Sequence, residues 1–120
     1  MDMIEVDRVA SKIGKESGFR ELVFSKKEIE YCESKAKKFE HYAARFAAKE
    51  AFLKALGTGW KSGINFNEIE ISGDELGKPE MTLLAETEKS VARNGAIKIF
   101  VSLSHLKNIA SAVVLIETQS

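Results

Sequence analysis

Several features that mark other classes of protein are scarce in this chain of 120 residues. Cys32 is its one cysteine, so an intrachain disulfide is impossible and a metal site must use oxygen or histidine ligands. No apolar run approaches the ~20 residues that span a bilayer, and the start of the chain lacks a secretory pattern. The net charge is zero, which gives no overall field for nucleic acid. These absences predict a cytoplasmic protein without membrane or nucleic-acid partners.

The residues that are present indicate a globular protein. Hydrophobic residues make up 44% and charged residues 30% of the chain, with one proline. This balance is typical of a folded domain rather than a disordered or fibrous chain. The length suits one ordinary domain and is too short for two independent cores. We therefore expect a single domain over residues 1–120.

Local patterns predict an α+β fold with an antiparallel sheet packed against helices. Ser25 and Glu28 form a capping-box pattern, Gly57 stands where a helix C-cap belongs, and Gly14 and Gly18 are expected to break helices. His105 is placed in the turn of a closing hairpin. The predicted elements are an extended stub over 3–6, helices ending near 13, over 26–36, 41–56 and 85–93, and strands over 67–72, 80–84, 96–104 and 109–117.

The helix over 41–56 places charged side chains beside an apolar stripe. Lys49 projects into the stripe, Glu50 lies at its margin, and Lys54 follows one turn later. A buried charge costs several kcal/mol unless it is paired, so these residues need each other or a ligand. One interpretation is a Glu50–Lys54 ion pair with Lys49 reaching outward, and the other is a binding site. The stripe consists of Tyr42, Phe46, Leu53 and Leu56.

Three further groups allow both structural and functional interpretations. Asp2 and Glu5 are ordinary terminal acids unless the fold brings Asp2 beside Glu50, where the pair would suit Mg²⁺ and substrate phosphates. His105 lies among serines and a lysine that could receive a phosphate, although a hairpin histidine is also a common surface residue. Arg8 belongs to a group of basic residues near the start that could equally be a solvated helix face.

Separated motifs together resemble one family, the small bacterial holo-acyl-carrier-protein synthases among the 4'-phosphopantetheinyl transferases. Residues 45–59, RFAAKEAFLKALGTG, resemble the diagnostic stretch of that family. Residues 2–9 (DMIEVDRV) and 24–31 (FSKKEIEY) resemble its opening and its next helix start. The short motifs GKP at 77–79 and SLSH at 102–105 follow in the expected order. The resemblance therefore spans nearly the whole chain.

The resemblance implies an enzyme that transfers the 4'-phosphopantetheine group from coenzyme A to a serine of apo acyl carrier protein in fatty acid biosynthesis. Asp2 and Glu50 match the carboxylates that hold Mg²⁺, and Lys54 matches the lysine at the bridging phosphate. Glu50, or a water that it orients, is the candidate acceptor of the serine proton. The residues expected around the nucleotide and its phosphates are Arg45, Lys49, Gly57, Thr58, Gly59, Lys78, Pro79 and His105.

The resemblance also implies the assembly and the partner surface. The resemblance implies a homotrimer with an active site at each subunit interface. One subunit would supply the acidic residues and the lysine, and its neighbour would complete the coenzyme A pocket. The basic helix that includes Arg8 matches the surface that docks acyl carrier protein, whose recognition helix is acidic. A homotrimer with coenzyme A and acyl carrier protein as partners is therefore expected.

Two features depart from the family pattern. The apolar, glycine-containing strand that normally precedes the first aspartate is missing, and a ligand on a frayed terminus would be poorly ordered; either residues precede this start, or the start is shortened, or metal affinity is reduced. Leu106 replaces the small hydroxyl residue that usually follows the histidine, which removes one side-chain contact. The alternative function is a protein without catalysis that binds coenzyme A or acyl carrier protein.

Overall fold

The computed structural model describes residues 1–57, 63–73, 77–93 and 95–118. Its elements alternate short helices and strands around one long helix. In chain order they are β1 (Asp2–Glu5), α1 (Val6–Lys15), α2 (Phe19–Val23), α3 (Lys26–Glu33), α4 (Lys38–Leu56), a 3-10 turn (Phe66–Glu68), β2 (Ile69–Gly73), β3 (Pro79–Leu83), α5 (Ala85–Ala92), β4 (Ala96–His105) and β5 (Ile109–Thr118).

The strands form two antiparallel sheets. The larger sheet has the order β1-β5-β4, and β5 pairs with Asp2–Glu5 on one side and with β4 on the other. The smaller sheet is the β2–β3 hairpin, in which Gly73 pairs with Pro79. This arrangement confirms the predicted α+β class with antiparallel sheets and the closing hairpin.

Helix α4 is the centre of the fold and packs mainly against β5. Buried residues lie on several sides of α4, among them Tyr42, Ala43 and Ala44, and the small alanines let the helix approach its neighbours closely. Gly57 ends the helix with a φ of 72°, a conformation that glycine adopts without steric cost. The helix is therefore buried on more than the single stripe that its sequence predicted.

The inner and outer faces of the larger sheet differ in character. Ala110, Ala112 and Val114 of β5 alternate along the strand and are buried against the core. The opposite face leaves large apolar side chains exposed. These outer side chains are Met3, Phe100, Ile109, Val113 and Leu115.

Several predicted boundaries are confirmed and others are wrong. The capping box of Ser25 and Glu28 is formed, with both reciprocal hydrogen bonds. Gly14 lies inside α1 rather than ending it, because the helix continues to Lys15. Helix α2 was missed, since its five residues give too short a pattern to detect. His105 is the last residue of β4 and pairs with Ala110, so it is not in the turn.

Among the residues that the structure describes, no helix is both long enough and apolar enough to cross a bilayer.

Candidate active site

Asp2 is held firmly although it is the second residue of the chain. Strand β1 pairs Asp2 with Ala112 of β5, and the alternation of the strand turns its side chain inward, where it is 7% exposed. The expectation that Asp2 is poorly ordered is therefore wrong, because the ladder with β5 fixes its backbone.

The structure brings Asp2 beside Glu50 and Lys54 of α4. The Lys54 ammonium donates to Asp2 Oδ1 over 2.5 Å, and this bond raises the pKa of Lys54. The other carboxylate oxygen, Asp2 Oδ2, is buried without a hydrogen-bond donor. Burial raises the pKa of Glu50 to about 7, and the adjacent Asp2 carboxylate adds to that effect. Two carboxylates thus face each other in a pocket that lacks enough positive charge for both.

This pair has the chemistry of a hard-cation site. Mg²⁺ prefers oxygen ligands and is commonly bound by one or two carboxylates, with waters and substrate phosphates completing its coordination. Asp2 Oδ2 and the Glu50 carboxylate offer such ligands, and a cation between them would remove their repulsion. Over the described ranges no group of three or more His, Cys, Asp or Glu side chains could hold a metal. The residues present therefore fit Mg²⁺ rather than a metal with an all-protein cage.

Lys54 does not lie along α4 against Glu50, as one interpretation of the sequence had it. Its side chain is 65% exposed and reaches across to Asp2 of β1. The ammonium group is therefore both anchored to the carboxylate pair and open to an anionic ligand.

Lys49 occupies the core and does not reach outward. Its side chain is 0% exposed, and its three donors are used by Glu28 Oε1 at 2.6 Å and by the carbonyl oxygens of Phe66 and Ile69 at 2.7 Å each. Glu28 also accepts from the backbone N–H of Ile71. The prediction that Lys49 snorkels is wrong, because these partners satisfy its charge inside. All three ammonium donors of Lys49 are thus used inside the fold, and none is left for a ligand at the surface.

A second feature is a cavity of about 390 Å³ between α3, α4, the β2–β3 hairpin and the end of β4. Arg45 projects into it from α4 and is 5% exposed, and its Nε has no hydrogen-bond partner among the described residues. The guanidinium lies over the Tyr31 ring, 4.3 Å from the centroid. Gly73, Gly77 and Pro79 border the opening. A buried cation with an unused donor suits an anionic ligand.

His105 closes one end of this cavity. Its Nδ1 lies 2.9 Å from Glu40 Oε1, which fixes the orientation of the ring. The His41 ring lies next to it, with the two ring centroids 5.0 Å apart. Arg45, Pro79 and His105, which the sequence assigned to one binding region, are thus together in space.

The cavity and the carboxylate pair lie on different sides of α4. Arg45 and Glu50 are five residues apart, which places them about 7.5 Å apart along the axis and about 140° apart around it. None of the side chains that line the cavity belongs to the carboxylate pair. The chain therefore presents two separate groups of candidate site residues that face in different directions.

The remaining site predictions fall near these two regions or outside the described part. Gly57 caps α4 one turn beyond Lys54, and Lys78 is exposed directly before Pro79. Thr58 and Gly59 lie outside the described residues. Sequence reasoning missed Tyr31 and His41 as cavity residues. His41 could have been found, because it lies four residues before Arg45 and so shares its helix face.

The basic surface around α1 is smaller than the sequence suggested. Arg8 and Lys15 are exposed, while Lys12 lies 4.0 Å from Glu16. Arg20 binds both Glu21 and Glu33, so its charge is locally neutralised.

Comparisons with known proteins agree with this geometry. The family model described as the 4'-phosphopantetheinyl transferase superfamily matches residues 1–114. A holo-acyl-carrier-protein synthase from Cytophaga hutchinsonii is 49% identical, over 96% of this chain and 92% of that protein. The crystal structure of holo-acyl-carrier-protein synthase from Neisseria meningitidis superposes with a TM-score of 0.88 at 30% identity, covering 98% of this chain and 94% of that one.

A second solved structure, described as a Chronobacterium ammoniagenes ACPS–CoA complex, also gives a TM-score of 0.88 at 30% identity and covers 99% of this chain and 95% of that one. The likeness thus includes the sequence, the fold and the near-complete length of the relatives. The chain belongs to the 4'-phosphopantetheinyl transferase superfamily and, within it, to the family of the holo-acyl-carrier-protein synthases.

Proposed function

We propose that this chain transfers the 4'-phosphopantetheine group from coenzyme A to a serine of apo acyl carrier protein, with Mg²⁺ as cofactor and adenosine 3',5'-bisphosphate as the second product. The observation that supports it most is the facing pair of Asp2 and Glu50 with Lys54 beside it. The transfer belongs to fatty acid biosynthesis, and we place it in the cytoplasm.

The acidic half-site supplies charge and a proton acceptor. Mg²⁺ bound at Asp2 and Glu50 would supply positive charge at the transferred phosphoryl group. Lys54 is exposed enough to contact the bridging phosphate and neutralise charge on the departing nucleotide. The Glu50 carboxylate, near the attacking serine, is the candidate acceptor of the hydroxyl proton, directly or through a water. The serine oxygen then attacks the β-phosphorus, and the bond to the nucleotide phosphate breaks.

The cationic cavity is proposed as the nucleotide half-site. Arg45 and His105 provide cationic or hydrogen-bonding groups, while Tyr31 and Pro79 provide apolar surface for a base or ribose. Because this cavity and the carboxylate pair face different ways, one coenzyme A can use both only when two chains meet. We therefore propose that the cavity of one subunit is completed by the carboxylate pair of its neighbour.

A homotrimer fits the exposed apolar face of the larger sheet. Phe100 and Leu115, which pair across β4 and β5, are 47% and 63% exposed. Contiguous exposed apolar surface of this kind is typical of a subunit interface. The proposal places the outer faces of three such sheets against one another.

The acyl carrier protein is proposed to dock on α1. Arg8 and Lys15 offer exposed positive charge, and Arg8 is close enough to Glu50 to lower its pKa. An acidic helix bound there would bring its serine near the carboxylate pair.

Intact-mass analysis tests the reaction directly. Apo acyl carrier protein incubated with this chain, coenzyme A and Mg²⁺ should gain the mass of one phosphopantetheine, and EDTA should prevent the gain. Binding of coenzyme A without any product, in protein that retains its fold, would reject the transferase and favour the alternative of a binding protein.

Glu50→Gln is the matched variant for the proton acceptor, since it keeps the shape of the side chain and removes its charge. We expect turnover to fall at least a hundredfold. Near-normal turnover with metal bound would remove Glu50 from the role of proton acceptor.

A further inference from the structure

Among the described residues that line the cavity, the charged side chains are all basic. The ionisable side chains that border it are Lys27, Arg45, His41 and His105 together with Tyr31, and no carboxylate is among the described lining residues. The described lining therefore favours the binding of an anion with more than one negative charge.

His41 is held in the cavity lining by ring contacts alone among the described residues. Its ring lies between Tyr31, whose centroid is 5.6 Å away, and His105, whose centroid is 5.0 Å away. Within the described part of the chain neither ring nitrogen of His41 makes a hydrogen bond, whereas His105 is tied to Glu40. Both nitrogens of His41 are thus available to a ligand in the cavity.

The surroundings of His41 favour its neutral form when the cavity holds no anion. Burial lowers its pKa, and so do His105 of β4, Arg45 of α4 and Lys35 before α4, while Glu40 acts in the opposite direction. Tyr31 and Lys27 face the same cavity from α3. A phosphate in the cavity would add negative charge beside the ring and favour its protonated form.

We propose that His41 recognises the 3'-phosphate monoester of coenzyme A by taking up a proton and donating to that phosphate. The assignment rests on the proposed function, because it takes the nucleotide half-site as its setting. On binding, one proton moves from solvent to the imidazole, and the phosphate keeps both negative charges. On release of the nucleotide the proton returns to solvent.

Recognition of this kind makes His41 a specificity-determining residue. A phosphomonoester carries close to two negative charges at neutral pH, since its second pKa is about 6. The pyrophosphate of coenzyme A has no such ionisation, so a proton-linked contact distinguishes coenzyme A from its 3'-dephospho form. His41 thus selects the terminal phosphate without contact to the reacting atoms.

Calorimetry on the full chain tests the assignment with coenzyme A and 3'-dephospho-coenzyme A as probes. Titrations at pH 7 in two buffers of different ionisation enthalpy give the number of protons taken up. The native chain should take up a substantial fraction of a proton with coenzyme A and almost none with the dephospho form. His41→Phe should weaken coenzyme A about tenfold, the effect of one charge-assisted hydrogen bond, and leave the dephospho form unchanged.

His41→Gln separates charge from structure, because glutamine can donate a hydrogen bond but cannot take up a proton. It should retain part of the affinity and lose the proton uptake. Lys89→Gln removes an exposed positive charge on α5, which is outside the cavity lining and does not act on His41, and should keep the proton uptake. Thermal unfolding confirms that each variant is folded.

Equal loss of affinity for both probes in His41→Phe, or unchanged proton uptake, would overturn the assignment of His41. If the native chain shows proton-linked selection of coenzyme A but transfers nothing to apo acyl carrier protein, the proposed function fails while the assignment holds. If it transfers normally with no His41-dependent difference between the probes, the assignment alone fails.

Discussion

At the scale of single residues, the Asp2 side chain faces an unbalanced set of charges. It is bonded to Lys54 through one oxygen, while the other oxygen is buried beside Glu50 with no donor. Asp2→Asn removes one of the two negative charges and gives Glu50 a possible amide donor. We expect the Mg²⁺-free variant to be at least as thermally stable as the native chain and to lack the stabilisation that Mg²⁺ would give the native chain under the proposed function. Thermal unfolding with and without Mg²⁺ measures both effects.

A contrary outcome for Asp2→Asn would be an undiminished rise in melting temperature on addition of Mg²⁺. Glu86→Gln is the control, because Glu86 is exposed on α5 and its ion pair among the described residues is with exposed Lys89. That pair contributes little to stability, and its loss should leave the Mg²⁺ effect intact.

The raised pKa of Glu50 leads to a pH-dependent stability of the metal-free chain. Its folded-state pKa of about 7 lies above the ordinary glutamate value of 4.5, so the folded state binds the proton more tightly than the unfolded state does. The contribution of Glu50 protonation to the free energy of unfolding is complete below pH 4.5 and is lost as the pH rises from about 4.5 to 7. In EDTA, the melting temperature should fall over this window in the native chain and fall less in Glu50→Gln. Identical pH profiles for the two proteins would show that Glu50 does not titrate as described.

At the scale of elements, the buried pair of Lys49 and Glu28 joins α4, α3 and β2. Lys49→Met leaves Glu28 charged and buried, so we expect a loss of roughly 3–5 kcal/mol in the free energy of unfolding. Adding Glu28→Gln removes that charge and should recover part of the loss. Urea unfolding of both single variants and the double variant gives the coupling between the two residues.

Additive effects in that cycle would contradict a direct Lys49–Glu28 interaction. Lys54→Met is the comparison within the same helix, because Lys54 is 65% exposed. Lys54→Met should lower the free energy of unfolding by much less than Lys49→Met does.

The elements that the sequence predicted well are those with a local cause. Ser25 and Glu28 cap α3 through hydrogen bonds within one helical turn. The two strands of the closing hairpin, β4 and β5, were predicted from their own β-rich sequences and the short connection between them. Lys49 shows why other features were missed. Its partners Glu28, Phe66 and Ile69 are 17 to 21 residues away in sequence, so no local pattern reveals that its charge is satisfied inside. The meeting of Asp2 and Glu50 was stated only as a condition, because it depends on how β1 pairs with β5.

At the scale of the whole molecule, the carboxylate pair and the cavity lie on different sides of α4. Variants in each region therefore allow a test of the proposed shared active site. Glu50→Gln and Arg45→Glu should each be nearly inactive alone. If each site takes Glu50 from one chain and Arg45 from its neighbour, equal mixing with subunit exchange leaves about a quarter of the sites intact. Activity assays before and after exchange should show a return to about that fraction of native activity.

The absence of recovery, with exchange verified by mass spectrometry, would mean that each site lies within one chain. Leu115→Glu provides an independent check, since it places a charge on the outer face of the larger sheet. If the proposed trimer forms, this variant should be monomeric in light scattering and lose the proposed transfer.

Strand β1 ends at Glu5 and α1 begins at Val6, with no residue between them. The aspartate that faces Glu50 and the basic helix proposed for docking therefore belong to one continuous segment, Asp2–Lys15, which is held to the sheet by the pairing of β1 with β5. No loop separates α1 from Asp2, so a displacement of α1 would also move Asp2. Binding of the carrier protein to α1 would thus change the affinity of the carboxylate pair for the cation, and binding of the cation would change the affinity for the carrier protein by the same factor.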